Sequence, residues 1–385
     1  MPGALFGGSQ RVVWNVSKAL VKRGHSVTVF TSDMVNNYYY RLSSPKYEEV
    51  LGIEIYCFHN LSKILSKTTR LIVTPEIVKA LFRDIKSFDI IHLHEMRNFQ
   101  QLVAALFSMK NEKPYVIQAH GTLPVSSHMT LKHIYDKTFL KLLLSKAQKI
   151  IAVNKLECEQ FRAYGIPYNK IVVVPNGIDP NEFMKLPPKG AFKSRYAIKK
   201  SEHIILYLGR VARDKGVDVL IKAFALIHSQ NQNIKLVIVG PDDGYLQYAK
   251  KLVSSLDLEA KVLFTGPLYG RDKLAAYHDA DVYVLPSFYE TFPLTILEAY
   301  MCFTPVIASN VGDMHERVRH GETGFLFKPG DIEELAFYLN YFMKKSDRVN
   351  EMGTEGRKLV LKQFSVDRIV GKLEKIYEEA ISASI

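Results

Sequence analysis

Residues 282–300, VYVLPSFYETFPLTILEAY, constrain the fold more than any other stretch of the chain. Val282 to Leu285 form a β-branched and aromatic run that Pro286 and Ser287 stop, which reads as a buried parallel strand. A loop carrying Glu290 follows. Pro293 then stands at the expected first helical position, and Leu294 to Tyr300 read as helix. In an open α/β sheet this point, past the carboxyl end of a strand and at a helix N-terminus, is where anionic ligands bind. Glu290 in the loop and Glu298 in the helix add two carboxylates, which suits a ligand carrying both anionic and hydroxyl groups. The competing assignment makes Glu290 a solvated loop charge and Glu298 a surface helix residue.

The same grammar recurs along the chain. At 385 residues it is long enough for two cores. In the first half, residues 25–31, 88–94, 114–120, 149–153 and 171–174 are short apolar runs separated by helical patterns. No strand precedes Gly7 and Gly8, so the chain is expected to begin inside its first strand-to-helix loop, with the first strand of the N-terminal domain missing. His94 and His120 fall at strand ends, and Gly121 directly follows His120. Leu186-Pro187-Pro188-Lys189-Gly190 reads as a linker. The second half opens with HIILYLG, a strand ending on Gly209, followed within six residues by Arg210, Arg213 and Lys215. Strands are expected at 235–240, 261–265, 282–285, 305–308 and 324–327, and helices from Ile332 and Val366 close the chain. The expected domains are 1–185, 186–365 and a final helix, 366–385, crossing back to the first.

Three widely spaced cysteines without a CxxC pair signal neither a disulfide framework nor a zinc site and fit a reducing cytoplasm. No run approaches the roughly 20 apolar residues of a membrane span, and the start lacks a signal-peptide pattern. The net charge of +12 is uneven: residues 1–180 hold 23 Lys/Arg against 13 Asp/Glu, or +10, leaving +2 for the remainder. The basic front half suggests an anionic partner, whether membrane lipid, a lipid phosphate or nucleic acid. Lys132, Lys137, Lys141, Lys146 and Lys149 are interleaved with Ile134, Phe139, Leu140, Leu142, Leu143 and Leu144. That pattern suits a basic amphipathic helix on a membrane surface, against the ordinary alternative of a solvated lysine face. Lys63, Lys67 and Arg70 lie nearby in sequence. The favoured assignment is an anionic membrane and not nucleic acid.

Arg210 and Lys215 sit just past the first strand of the second half. Two cations and the helix tip at residues 293–296 can hold a pyrophosphate as it gains charge on leaving, in place of a divalent metal. Asp279-Ala280-Asp281 spells the DxD of metal-dependent sugar transferases, but it precedes its strand and would face away from the ligand end. No GxGxxG or P-loop string is present, which argues against a dinucleotide enzyme or an ATPase.

Arg210 with Lys215-Gly216, Pro175-Asn176-Gly177-Ile178-Asp179, the Glu290/Glu298 pair and Gly321-x-x-Gly324-Phe325-Leu326 together resemble the retaining family 4 glycosyltransferases. The resemblance implies an α/β chain of two Rossmann-like domains facing each other across a cleft, the GT-B fold. By matched position it implies that Arg210 and Lys215 bind the donor pyrophosphate and stabilise the departing nucleoside diphosphate. Glu290 would contact the donor sugar and Glu298 the ribose hydroxyls. The amides near Leu294 and Thr295 would meet the phosphates, and Gly209 belongs to the same nucleotide-sugar-binding set. His120 would lie near the sugar, and Gly7 and Gly8 near the phosphates and acceptor. No covalent nucleophile is implied.

The resulting expectation is a metal-independent, retaining hexosyltransferase, with no cofactor beyond its UDP- or GDP-linked donor and with a glycan or lipid-linked acceptor. Its expected place is the cytoplasm, peripheral to the inner face of the membrane. The alternatives are a nucleotide-sugar epimerase on the same fold and a non-catalytic, membrane-associated glycosyltransferase subunit.

Overall fold

The structure is a computed structural model that describes residues 7–33, 47–61, 72–123, 135–344 and 346–384. The chain divides into two compact units, Met1–Gly177 with Val366–Ile385, and Ile178–Ser365.

The first unit opens with α1 (Gly8–Lys22), whose buried stripe of Val12, Val16, Ala19 and Leu20 follows helical spacing. It continues through β1 (Val27–Ser32), β2 (Tyr47–Val50), β3 (Ile53–Phe58), α2 (Glu76–Asp84) and β4 (Ile91–His94). Next come α3 (Phe99–Lys110), β5 (Tyr115–Gln118), a π-type turn at Asp136–Leu140 running into α4 (Lys141–Lys146), β6 (Lys149–Ala152), α5 (Lys155–Ala163) and β7 (Ile171–Val173). Asn98 and Asn154 start α3 and α5 by accepting from the amides of Gln101 and Glu157, each at 2.8 Å. β4, β5, β6 and β7 form one parallel sheet, while β1, β3 and β2 form another. Among the described residues no strand joins β1 to β4. Residues 1–6 lie outside the described residues, as do Lys63, Lys67, Arg70 and Lys132.

Lys149 corrects the expected five-lysine helix. It opens β6, and its Nζ lies 3.2 Å from Glu379 Oε2. The helical part is the short turn and α4, where Leu140, Leu143 and Leu144 are buried while Phe139 and Leu142 remain exposed.

The second unit runs α6 (Ala191–Arg195), β8 (His203–Leu208), α7 (Val217–His228), β9 (Ile234–Val239), α8 (Leu246–Ser255), β10 (Val262–Gly266) and α9 (Gly270–Asp279). It continues with β11 (Val282–Leu285), α10 (Leu294–Met301), β12 (Val306–Ser309), β13 (Gly324–Phe327), α11 (Ile332–Lys344) and α12 (Ser346–Gln363). Its six strands are all parallel, in the order β10-β9-β8-β11-β12-β13. Helices cover such a sheet on both faces, which is why β11, β12 and β13 are buried along their whole length and read as continuous apolar runs.

The last helix, α13 (Val366–Ser382), returns to the first unit. It buries Ile369, Val370, Leu373 and Ile376, each worth about 1.5–3 kcal/mol. Polar contacts fix its register: Arg23 Nη1 to Glu374 at 2.7 Å, His25 Nε2 to Glu374 at 3.0 Å, and Tyr377 Oη to His92 Nδ1 at 2.7 Å.

The chain after β5 is tied down by Arg97. Its guanidinium grips Asp136 bidentately at 2.7 and 2.9 Å and donates to the carbonyls of Thr122 and Leu123, both at 2.8 Å. Both side chains of the pair are about nine-tenths buried. Arg97→Lys keeps the charge but loses the fork, so urea unfolding should show a loss of about 3 kcal/mol.

Candidate functional site

Strand order decides where chemistry can sit in the second unit. The chain winds outward from β8 through β9 to β10, then returns to place β11 on the other side of β8. The carboxyl ends of β8 and β11 are therefore neighbours at the point where connections diverge. Past β8 come Gly209, Arg210 and a 3-10 turn at Arg213–Lys215; past β11 come the Glu290 loop and α10. The two loops are held together by main-chain contacts. Phe288 N donates to Asp214 O at 2.9 Å. Gly216, at φ +64°, lies so close to the second loop that an added Cβ would stand 2.1 Å from Pro286 O. Gly240, at φ +150°, gives the same clearance beside Gly209 O, 1.7 Å from a hypothetical Cβ. Two buried tyrosines complete the anchorage: Tyr207 Oη donates to Arg210 O at 2.7 Å, and Tyr283 Oη to Leu208 O at 3.1 Å.

On this frame the expected charges converge. Lys215 Nζ donates to Glu290 Oε1 at 2.7 Å, and Ser287 Oγ donates to the same oxygen at 2.8 Å. The Lys215 and Glu290 side chains are only 15% and 12% exposed, so the pair acts in a reduced dielectric. Asp214 Oδ2 lies 3.8 Å from Lys215 Nζ and 3.7 Å from Arg210 Nη2, and Arg210 also pairs with Asp243. Arg210 is half exposed, and such ion pairs are weak enough for a polyanion to displace. Pro293 is the N-cap of α10 and not its first residue, as the sequence suggested; it caps without a side-chain hydrogen bond. The first amides of the helix, at Leu294 and Thr295, are thus the donors that an anion would meet.

Glu298 is not a surface residue. It is 3% exposed, and its carboxylate takes Lys273 Nζ at 2.9 Å and Tyr277 Oη at 3.2 Å, both from α9. Asp279 and Asp281 serve the frame. Asp279 caps α6 by accepting from Gly190 N, Phe192 N and Lys193 N at 2.6, 2.8 and 3.0 Å. Asp281 accepts from Ile204 N at 2.7 Å and lies 3.0 Å from His203 Nδ1.

The remaining expected residues belong to the first unit. Gly7 caps α1 and Gly8 begins it, with Ser9 Oγ donating to Glu95 Oε1 at 2.7 Å just past β4. His120 follows β5 in the left-handed region at φ +53°. Glu157, fully buried at the start of α5, sets this turn by accepting from Gly121 N at 2.6 Å and Val153 N at 2.7 Å. His120 Nε2 lies 2.9 Å from His94 Nδ1, and His94 stacks on His92 with ring centroids 3.9 Å apart. Burial pushes His120 down to about 4 and His92 to about 3, and holds His94 well below the ordinary imidazole range.

The sequence pointed to Arg210, Lys215 and Glu290, which the fold brings together, and did not point to their neighbours Ser287 and Asp214 or to Lys273 and Tyr277 beside Glu298. Ser287 was legible only as a strand stop. Lys273 and Tyr277 are one turn apart on α9, facing Glu298, a juxtaposition that only the folded sheet creates. Two outcomes test the frame. Asp279→Ala strands three amides and should lower stability to urea by about 2–4 kcal/mol. The three histidines are neutral when folded and near pKa 6.5 when unfolded, so stability should fall as pH drops from about 6.5 towards 4. The slope is at most about 1.4 kcal/mol per pH unit for each imidazole. His92→Asn should flatten that slope in acid-urea titrations.

Comparison with known proteins agrees with this architecture. Residues 189–359 match the model "Glycosyl transferases group 1", and residues 6–182 match "Glycosyltransferase Family 4". An uncharacterized glycosyltransferase of Methanocaldococcus jannaschii is 29% identical over 99% of this chain and 96% of its own length. Sucrose-phosphate synthase from Thermosynechococcus elongatus superimposes with a TM-score of 0.78 at 23% identity, covering 98% and 94% of the two chains. Anabaena HepE, solved in complex with UDP-glucose, gives 0.75 at 21% identity over 97% and 96%. Both similarities are of fold: an α/β protein built from two Rossmann-like domains. The first unit carrying the family 4 domain and the second the group 1 domain, the chain belongs to the family 4 glycosyltransferases.

Proposed function

We propose that the chain transfers a hexose-type sugar from a UDP- or GDP-linked donor to a glycan or lipid-linked acceptor, with retention of anomeric configuration. One observation carries the reading: Lys215, Glu290 and the open amide end of α10 converge at the switch point of the second unit. Lys215 and Arg210 would take the diphosphate, joined by the amides of Leu294 and Thr295, and would steady the charge that grows as it leaves. Glu290 would hold a sugar hydroxyl, with Lys215 and Ser287 fixing the carboxylate. Glu298, held by Lys273 and Tyr277, would accept from the ribose hydroxyls. All of the positive charge in this scheme comes from the protein, so no metal is needed for the departure step. Retention follows the resemblance to family 4, and His120, Gly7 and Gly8 belong to the acceptor-side unit.

Anabaena HepE binds UDP-glucose, which makes UDP sugars the first donors to try. Membrane contact is part of the same proposal and rests on Lys137, Lys141 and Lys146 beside exposed Phe139 and Leu142. Among the described residues no helix is long and apolar enough to cross a membrane. The contact proposed is peripheral, at the inner face of the membrane.

Isothermal titration with UDP and GDP should show binding of one of them; the non-catalytic alternative need bind neither. Glu290→Ala should then cut sugar transfer by at least a hundredfold while leaving nucleoside diphosphate affinity within about threefold. Full activity in that variant removes the role given to Glu290. Flotation with anionic vesicles should show binding that weakens as salt rises and is lost when Lys137, Lys141 and Lys146 become glutamine.

A further inference from the structure

Among the described residues the largest fully buried side chain is a cation that the scheme above does not use. Arg317, just past the 3-10 turn Met314–Glu316 that follows β12, is 2% exposed. Its Nη1 donates to Asp313 O at 2.7 Å, while its Nε is buried without a hydrogen-bond partner. The guanidinium carbon stands 4.1 Å from the centroid of the Phe292 ring. Phe292 also meets Phe364 edge-on, with centroids 5.8 Å apart and planes at 68°. The ring is thus wedged between a planar cation and a second aromatic.

Phe292 occupies a telling position. It lies two residues after Glu290 and directly before Pro293, the N-cap of α10. On one side of it the loop is anchored at Glu290 by Lys215 and Ser287. Phe288 and Tyr289, by contrast, are exposed. Between that anchor and the first amides of α10, Phe292 and Pro293 are the buried residues, and the wedged ring is the one held by side chains from outside the loop. Burying an arginine for packing alone is unfavourable, because an aliphatic side chain fills the space without desolvating a charge. Burial lowers Arg317 only to about 10, so the group remains charged at neutral pH, with Glu316, Asp313 and Glu290 as the acids that favour its charge.

We propose that Arg317 is a positioning residue for the donor loop. It clamps Phe292 so that the Glu290 carboxylate and the Leu294 and Thr295 amides present themselves together to the sugar and the departing diphosphate. This rests on the donor reading given above. The residue touches neither substrate; it acts through the ring. Its loss therefore reaches the chemical step more than the grip on nucleoside diphosphate, which Arg210 and Lys215 retain.

The test measures steady-state release of nucleoside diphosphate from UDP-glucose, UDP-N-acetylglucosamine and GDP-mannose, with titration of UDP and GDP and thermal melting of each variant. Arg317→Met should lower kcat at least tenfold while nucleoside diphosphate affinity changes less than threefold. Phe292→Leu should reproduce that loss, and the double variant should be no worse than the poorer single, because both remove one contact. Arg317→Lys, which keeps a buried cation against the ring, should recover most of the lost kcat. Unchanged kcat in Arg317→Met, or losses that multiply in the double variant, overturns the inference. So does a lysine variant that loses as much kcat as the methionine one, with the same fall in melting temperature. Absence of turnover by the wild-type chain with every donor overturns the donor reading and this inference with it, whereas wild-type turnover with intact Arg317→Met overturns this inference alone.

Discussion

The contact between the loops past β8 and β11 is what the second unit depends on. Parallel strands leave all their carboxyl ends on one edge, and the strand order makes these two ends adjacent. Adjacent loops can share main-chain hydrogen bonds only if no side chain intervenes, which Gly216 ensures here, while Gly240 gives the same clearance between the ends of β8 and β9. Once the loops touch, Lys215 and Glu290 are brought to 2.7 Å with little freedom left to lose. A pair preorganised in this way can respond to charge on a ligand without first spending energy on its own ordering.

Acidic residues in this unit separate into two kinds of work. Glu290 and Glu298 have nitrogen and hydroxyl partners and lie towards the edge of the sheet where the strands end. Asp279 and Asp281 sit at the opposite edge and satisfy main-chain amides. The difference is set by chain direction: a residue before a parallel strand and one after it emerge on opposite edges. A DxD string is therefore uninformative until its position relative to the strand is known.

The alternation of strand and helix was legible in most of the chain because buried parallel strands are nearly pure Val, Ile, Leu and aromatic. Val282–Leu285 and Gly324–Phe327 matched the expected residues. The reading passed over β3, Ile53–Phe58, although it is largely apolar, and it failed also where that signal is absent. β2, Tyr-Glu-Glu-Val, is largely exposed and polar and pairs antiparallel with β3, so it carried no apolar run. α2, α8 and α12 were passed over as well, and Lys149 was drawn into a helix because a lysine period does not stop at a strand boundary. At the site, Arg210, Lys215 and Glu290 were readable because each follows a strand closely. The Lys273 and Tyr277 partners of Glu298 were not, since packing of α9 on α10 brings residues 21 to 25 positions apart into contact.

One further feature concerns how the chain enters and leaves the second unit. Ile178 N donates to Phe364 O at 2.8 Å, and Ile178 and Ser365 form a parallel bridge, so the first and last residues of that unit are side by side. A module whose two ends meet behaves topologically as an insertion: residues 178–365 can be excised as a single piece, or reconnected through a short tether and reopened elsewhere, without any strand being rethreaded. Evolution could exchange such a cassette whole, giving a host scaffold a different ligand preference in one recombination event.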